Sequence, residues 1–557
     1  MREKGKLILL ISLFSLSAIA GCVSNPDDDD DMFEEPSSSL NTTITLKERT
    51  EPNYTFDETV TNENGSVSYE IFVRSFYDTN NDGVGDLNGV TAKLPYLKDL
   101  GIKTIWLMPV MPSPSYHGYD VTDYYAIHQD YGTMEDFENL TAEAKKLNID
   151  IMIDIVFNHS SDKHPWFTKS YQDYINNNTA EDSKKDWYCW SETSKAGHSI
   201  YNNDKYYEAR FSHTMPDFNT ENEKVRDEMV NILKYWVDKG VDGFRFDAVK
   251  YFDFENTSYN VSFLTDIKDR LCEYAPDTYF VGECWTNIDT INKYYKSSFN
   301  SFFKFNASLE GYSKDAILGQ VKAVNKANDF AKAIESQEKA MKEANPNAYS
   351  SYFLSNHDMN RAAHSFGGSY ACAAASLTYL LPGTPFMYYG EEIGLKGKRV
   401  TSPDDQSDAR RRLPMIWSMN DKTGECNFPE TNRMDLSKNN QQVSLGVNDQ
   451  IEKGYSLVNH YKKVINMRNK YPFIKNSIFT NETENIIVDS EHVLAYRLSY
   501  GDEYVIVIHN FELKNFEIDV SSLGVTQILD DASPSRLIPE LKDGKLKLGL
   551  LSTVIVK

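Results

Sequence analysis

The sequence predicts an α/β chain: a parallel barrel of eight strands, an irregular insertion after the third strand, and a small antiparallel β domain at the C-terminal end. Three observations carry this. From about residue 67, short apolar runs alternate with amphipathic stretches. Between His159 and Met215 that alternation breaks into a stretch rich in Asn, Asp, Ser and aromatics. After about Asn476, "HVLAYRLSY" and "EYVIVIHNF" alternate apolar and polar residues around the turn pair Gly501-Asp502.

The elements follow in order. Residues 1–21 are an address: Arg2, Lys4 and Lys6, an apolar run from Leu7 to Ala20, then Gly21 before Cys22. That run is short for a membrane span and right for a signal-peptide core. Small residues just before a Cys resemble the lipobox of bacterial lipoproteins. The resemblance implies cleavage before Cys22, lipidation there, and an exported protein anchored at the cell membrane or surface. Residues 22–64 read as an acidic, disordered tether, with Asp27 to Asp31 in a row and Glu34-Glu35 behind them. Residues 65–475 hold the barrel, with 160–214 as the insertion, and 476–557 hold the β domain.

Strands are expected at Ser68–Phe76, Thr104–Pro109, Asp150–His159, Gly243–Ala248, Tyr279–Trp285, Phe302–Ala307, Tyr352–Asp358 and Pro385–Gly390. Helices are expected at Thr91–Leu100, Thr133–Asn148, Glu223–Lys239 and Asp266–Tyr274. Thr133 with Asp136 forms a capping box, and Gly240 is a helix stop. A second, helical insertion is expected from about Ser313 to Asn345.

Composition excludes some functions. The formal charge of −24 repels phosphate backbones, so no nucleic-acid partner is expected. Beyond Cys22 five Cys remain, an odd number with no CxxC pair. They read as buried apolar residues rather than a disulfide framework or zinc site. Aromatics are 13% of the chain, enough for a large core and for platforms under flat, neutral ligands.

Barrel chemistry gathers at the C-terminal strand ends, and four of those ends are polar. They read Asp154-Ile-Val-Phe-Asn158-His159, Arg245-Phe-Asp247-Ala-Val-Lys250, Glu283-Cys-Trp285 and Asn356-His357-Asp358. Arg245 and Asp247 are two apart and share one strand face. An Arg beside a carboxylate keeps it ionised, which suits a nucleophile. Glu283 follows an apolar run, where burial raises a carboxyl and suits a general acid.

These four segments resemble the short sequence blocks of the α-amylase family, glycoside hydrolase family 13. Tyr116-His-Gly-Tyr119-Asp120 and Met215-Pro-Asp-Phe-Asn219 resemble two further blocks. The resemblance implies a TIM (β/α)8 barrel, an inserted domain B and a C-terminal β-sandwich. It implies Asp247 as nucleophile, Glu283 as acid and base, and Asp358 as the third carboxylate. It places Tyr119, His159, Arg245 and His357 around the cleaved sugar and Lys250 on the leaving side. Retaining sites hold their two carboxyls about 5–5.5 Å apart, too close for direct attack by water.

Asp78, Asn80, Asp82, Val84 and Asp86 alternate through a loop with Gly83 at the turn, like the opening of an EF-hand-like calcium loop, with Val84 giving its carbonyl. Family members carry such a loop after the first strand. Asn158 matches a ligand of a second family calcium site, although Tyr251 replaces a common His there. His117 and Lys250 point to α-amylase. Ser160 to Phe167 and Met215 to Asn219 resemble the oligoglucosidase and neopullulanase branches, which leaves the chain like the group between them. Asp408 and Arg412 resemble a sugar-binding Asp/Arg pair. The reading is a monomeric enzyme that cleaves internal α-1,4 bonds of starch and maltodextrins. The alternatives are neopullulanase/cyclomaltodextrinase-like or exo-acting oligo-α-glucosidase action, and a non-catalytic starch-binding lipoprotein.

Overall fold

The computed structural model describes residues 44, 46–49, 56–202, 204–254, 256–308, 326–399, 407–428, 443, 445–534 and 536–557. The signal segment, Cys22 and the five-Asp run lie outside these residues. So does the first part of the second insertion, whose later part is the helix Lys326–Ala344.

Eight strands form one parallel sheet: β1 (Ser68–Ile71), β2 (Thr104–Leu107), β3 (Asp150–Ile155), β4 (Gly243–Phe246), β5 (Tyr279–Gly282), β6 (Ser301–Phe303), β7 (Tyr349–Ser351) and β8 (Phe386–Tyr388). The order β7-β6-β5-β4-β3-β2-β1-β8 follows the chain around the ring. Ser68 pairs with both Thr104 and Phe386. A parallel bridge from Phe353 to Phe386 closes the barrel. The expected seventh strand begins too late: the ladder holds Tyr349–Ser351, and residues 354–358 are its exit. Ser350 and Ser351 made this strand look polar, although both are fully buried. Inside the barrel, Trp106, Phe303 and Phe386 meet edge-to-face or tilted at 4.8–6.0 Å, a dry aromatic floor under the strand ends.

Helix α1 (Leu87–Leu100) starts four residues before the expected point, because the Asp86 carboxylate accepts the Gly89 N–H and caps it. Helix α2 (Met134–Lys146) carries the Thr133/Asp136 capping box. Helix α3 (Pro165–Ile175) lies in the insertion expected to be irregular. Pro165 opens it behind His164, and Phe167 and Tyr171 bury it among Trp190, Tyr201 and Tyr207. Its buried face includes the polar Ser170 and Asp173 while Ile175 is exposed, which masks the amphipathic period in the sequence. Three short strands complete the insertion, Trp190–Ser191, His198–Tyr201 and Lys205–Glu208.

The last barrel helix, α4 (Leu457–Lys470), joins barrel and β domain. Its buried Arg468 donates to the carbonyls of Tyr379, Leu381 and Gly383 and to Ser66 Oγ. That satisfies backbone that water cannot reach. In the β domain the alternation is two-sided. Val505 and Val507 face the barrel core, while Ile506 and Ile508 face Phe516, Ile518, Leu546 and Leu548 of a second, three-stranded sheet.

Part of the stretch expected as tether is packed. Glu48 bridges Leu537, Arg49 grips Asp531 with two bonds at 2.8 and 2.9 Å, and Leu46 packs on Leu537 and Leu550. Asn62, 4% exposed, donates to the carbonyls of Ile102, Leu147 and Asn148. Leu46 is the single apolar side chain this stretch brings to these contacts, and the rest are a backbone bridge, an ion pair and the Asn62 amide, so no apolar run marks them.

Candidate active site

The site stands on a buried cation. Arg245 on β4 is 1% exposed. One guanidinium nitrogen donates to Asp154 at 2.8 Å and to Asp247 at 2.7 Å. The other lies 3.4 Å from Glu283. Strand register explains the meeting: Asp154 is paired with Arg245 across β3 and β4, and Arg245 with Val281 across β4 and β5. Asp247 is one residue past β4, and Glu283 one residue past β5. The chain then turns sharply. Ala248 has φ +50°, a left-handed conformation costly for a residue with Cβ, and its N–H donates to Glu283 Oε2 at 2.8 Å. The strain thus aims one carboxyl at the donor that follows the other.

Burial raises Glu283 above the usual carboxyl range, with Arg245 opposing and the charges of Asp247 and Asp358 adding to the rise. Asp358 behaves the opposite way. Burial works to raise it, but His357 and Arg412 outweigh this and hold it well below the usual range. Arg412 Nη2 lies 3.0 Å from one Asp358 oxygen, and His357 Nε2 lies 3.2 Å from the other. Burial would lower His357, but Asp358 and Glu70 prevail and push it up to about 9, so the ring is an imidazolium at neutral pH. Glu70, in β1, holds the far ring nitrogen. Tyr119 stacks on His357 at 5.7 Å and reaches both His357 Nε2 (2.7 Å) and Asp154 (3.1 Å). His159 is 2% exposed and pushed down to about 4 by burial, so it is neutral; its buried Nε2 has no partner. Lys250 Nζ donates to the Trp285 carbonyl at 2.7 Å.

Not every expected pairing is made. Asp408 meets Arg411 at 2.9 Å and Arg399 at 3.5 Å, while Arg412 belongs to Asp358. His117 accepts the Tyr119 N–H through Nδ1, at the edge of the same group. Asp154 and Glu70 were not assigned roles from sequence. Each is a carboxylate inside an apolar strand, "DIMIDI" and "SYEI", and a buried acid there needs a cation. A cavity of about 950 Å³ opens among Ser68, Thr104, Asp150, Gly243 and Tyr279 at the opposite, N-terminal strand ends, so it plays no part in this chemistry.

The loop after β1 winds its N–H groups onto its own side chains. Asp78 accepts from Asn80, Asn81 and Gly83, Asn80 from Asp82, and Asp82 from Val84. Asp86 accepts from Thr79 and caps α1. All the donors a cation would meet here are oxygens, which fits a hard ion. Among the described residues no three His, Cys, Asp or Glu side chains are gathered as a metal-binding group. Asn158 Oδ1 is buried without a partner, while its amide nitrogen donates to Asp217. The five described Cys are free thiols, and among the described residues no helix is long and apolar enough to cross a membrane.

The family described as "Alpha amylase, catalytic domain" matches residues 70–477. Alpha-amylase 3 of Dictyoglomus thermophilum is 38% identical over 501 residues, covering 88% of this chain and 93% of that protein. An oligo-1,6-glucosidase of Parageobacillus thermoglucosidasius is 30% identical, covering 81% and 90%. The solved structure of Eubacterium rectale Amy13B superposes with TM-score 0.82 at 36% identity, covering 89% and 96%.

The Glu70–His357–Asp358 relay gives a direct expectation. In Glu70→Gln the His357 ring titrates lower than about 9 by roughly one unit or more, read by NMR of the labelled ring. An unchanged titration would contradict the relay.

Proposed function

The chain belongs to the alpha-amylase family of glycoside hydrolases, and from that premise we propose that it cleaves internal α-1,4-glucosidic bonds of starch and maltodextrins with retention of configuration. The observation that carries this reading is the shared guanidinium: Arg245 touches both Asp247 and Glu283, yet the two carboxyls sit in unlike surroundings. Asp247, paired at 2.7 Å, attacks the anomeric carbon. Glu283, its acid form favoured by burial, gives its proton to the leaving oxygen. The glycosyl–Asp247 ester forms as the glycosidic bond breaks. Glu283, now a carboxylate, takes a proton from water, which attacks the same carbon and frees Asp247. Asp358, the most exposed of the three at 37%, accepts sugar hydroxyls and stays anionic through His357 and Arg412. His159 Nε2 and Tyr119 contact the sugar from the sides. The three carboxylates together argue against a binding-only lipoprotein.

The relative named oligo-1,6-glucosidase keeps a second reading in play, exo action on short chains. Amylose, pullulan and maltose separate the two. We expect rapid random shortening of amylose, and proton NMR showing the α-anomer of the new reducing end first. Glucose released singly from chain ends favours the second reading, and β-anomer first overturns retention.

The proposal includes Ca²⁺ on Asp78, Asn80, Asp82, the Val84 carbonyl and Asp86, and a weaker site using Asn158. A bound ion would clamp the loop that leads into α1. It also includes export with lipid attachment at Cys22. Removing calcium with a chelator should lower the thermal midpoint by several degrees, and added calcium should restore it. A midpoint indifferent to both would remove the ion from the account.

A further inference from the structure

The stretch that delivers Arg412 to Asp358 has little regular structure to hold it. After the 3-10 turn Ala409–Arg411 the chain passes through Arg412 and Leu413 in neither helix nor strand. Yet two neighbouring side chains of this stretch grip one residue. Arg412 Nη2 reaches the Asp358 carboxylate at 3.0 Å, and Arg411 Nη1 donates to the Asp358 carbonyl. Arg412 Nε also points at the His357 carbonyl, 3.3 Å away. A side chain is aimed only as well as the backbone beneath it is fixed.

Side chains from three other parts of the barrel fix this backbone. The carbonyls of Arg411, Arg412 and Leu413 are each met by a donor. Arg411 O accepts from Arg361 Nε at 2.7 Å and from the Tyr388 hydroxyl at 3.0 Å. Arg412 O accepts from Ser75 Oγ at 2.8 Å, and Leu413 O from the Tyr389 hydroxyl at 2.6 Å. Ser75 holds the stretch twice, since its own carbonyl accepts the Met415 N–H at 2.8 Å. Ser75 ends the turn after β1, Tyr389 directly follows β8, and Arg361 lies just beyond Asp358. All four donors are buried, so none of them touches the sugar. Removing a donor would leave a buried carbonyl without a partner, and the backbone would shift to find one.

We propose that Ser75 and Tyr389 are positioning residues for the hydrolysis. By holding the carbonyls of Arg412 and Leu413 they set the Arg412 guanidinium against Asp358. This rests on the hydrolase reading. Bonds from sugar hydroxyls to the enzyme strengthen in the transition state. A misplaced Asp358 therefore costs turnover more than it costs binding of the intact glucan.

The test deletes single hydroxyls and measures kcat and KM separately on maltoheptaose. In Ser75→Ala and in Tyr389→Phe, kcat falls about tenfold while KM stays within about twofold of the wild type. Tyr379→Phe is the control. It removes an equally buried hydroxyl, one bonded to Glu391 at 2.6 Å rather than to this stretch, and leaves kcat unchanged. In an Arg412→Lys background, which keeps a cation but loses the fork, Ser75→Ala lowers kcat by less than about threefold. Thermal midpoints show that each variant is folded. A kcat within about twofold of the wild type in both hydroxyl variants, or a raised KM with kcat unchanged, overturns the positioning roles while leaving hydrolysis intact. An equal loss of kcat in Tyr379→Phe does the same, because the effect is then a general loosening of the core. An undiminished loss in the Arg412→Lys background also overturns them, because the effect then does not pass through Arg412. A wild-type protein that leaves maltoheptaose uncut overturns the hydrolase reading and the positioning roles with it.

Discussion

One buried guanidinium sets the arrangement of the strand ends. Arg245 is nearly without solvent, and a charge so placed is tolerable only when paired and hydrogen-bonded. Its partners come from three different strands: Asp154 in β3, Asp247 after β4 and Glu283 after β5. The parallel register brings these strands level, so the Arg can reach all three. Removing it would leave acids facing one another in a place of low dielectric. The barrel's aromatic floor, with Trp106 5.2 Å from the guanidinium, keeps water from relieving that cost.

A second charge system on the other side works in the opposite sense. His357, held cationic between Glu70 and Asp358, and Arg412 keep Asp358 anionic. Glu283 has less compensation for its burial and is driven toward the neutral acid. An Asp and a Glu of similar ordinary acidity thereby acquire opposite protonation preferences from their neighbours, the division of labour that acid–base catalysis requires. Tyr119 ties the two systems, since its hydroxyl touches both Asp154 and His357.

Much of this was legible in the amino-acid sequence, for physical reasons. Alternating apolar runs with polar strand ends lead to a barrel and to Asp247, Glu283 and Asp358. The supporting residues were harder to see. Glu70 and Asp154 lie within apolar strands, and their roles depend on cations contributed from distant segments. Asp408 and Arg412, four apart in sequence, are not bonded to each other: a 3-10 turn at Ala409–Arg411 brings Arg411 to Asp408, and Arg412 reaches Asp358. Helix α3 escaped notice because polar Ser170 and Asp173 lie on its buried face and Ile175 on its exposed one, which blurs its period in the sequence. The packed residues of the N-terminal stretch escaped because a lone Leu46, one ion pair and the Asn62 amide hold them, and none of these makes an apolar run.

The central claim is that Asp247 carries the sugar between the two half-reactions. A fluorinated α-glucosyl fluoride, slow to release from such an ester, followed by proteolysis and mass spectrometry, tests it most directly. The account predicts one added glycosyl unit on the peptide bearing Asp247, at that residue. An adduct on Glu283, Asp154 or Asp358, or inactivation with Asp247 unmodified, would contradict it.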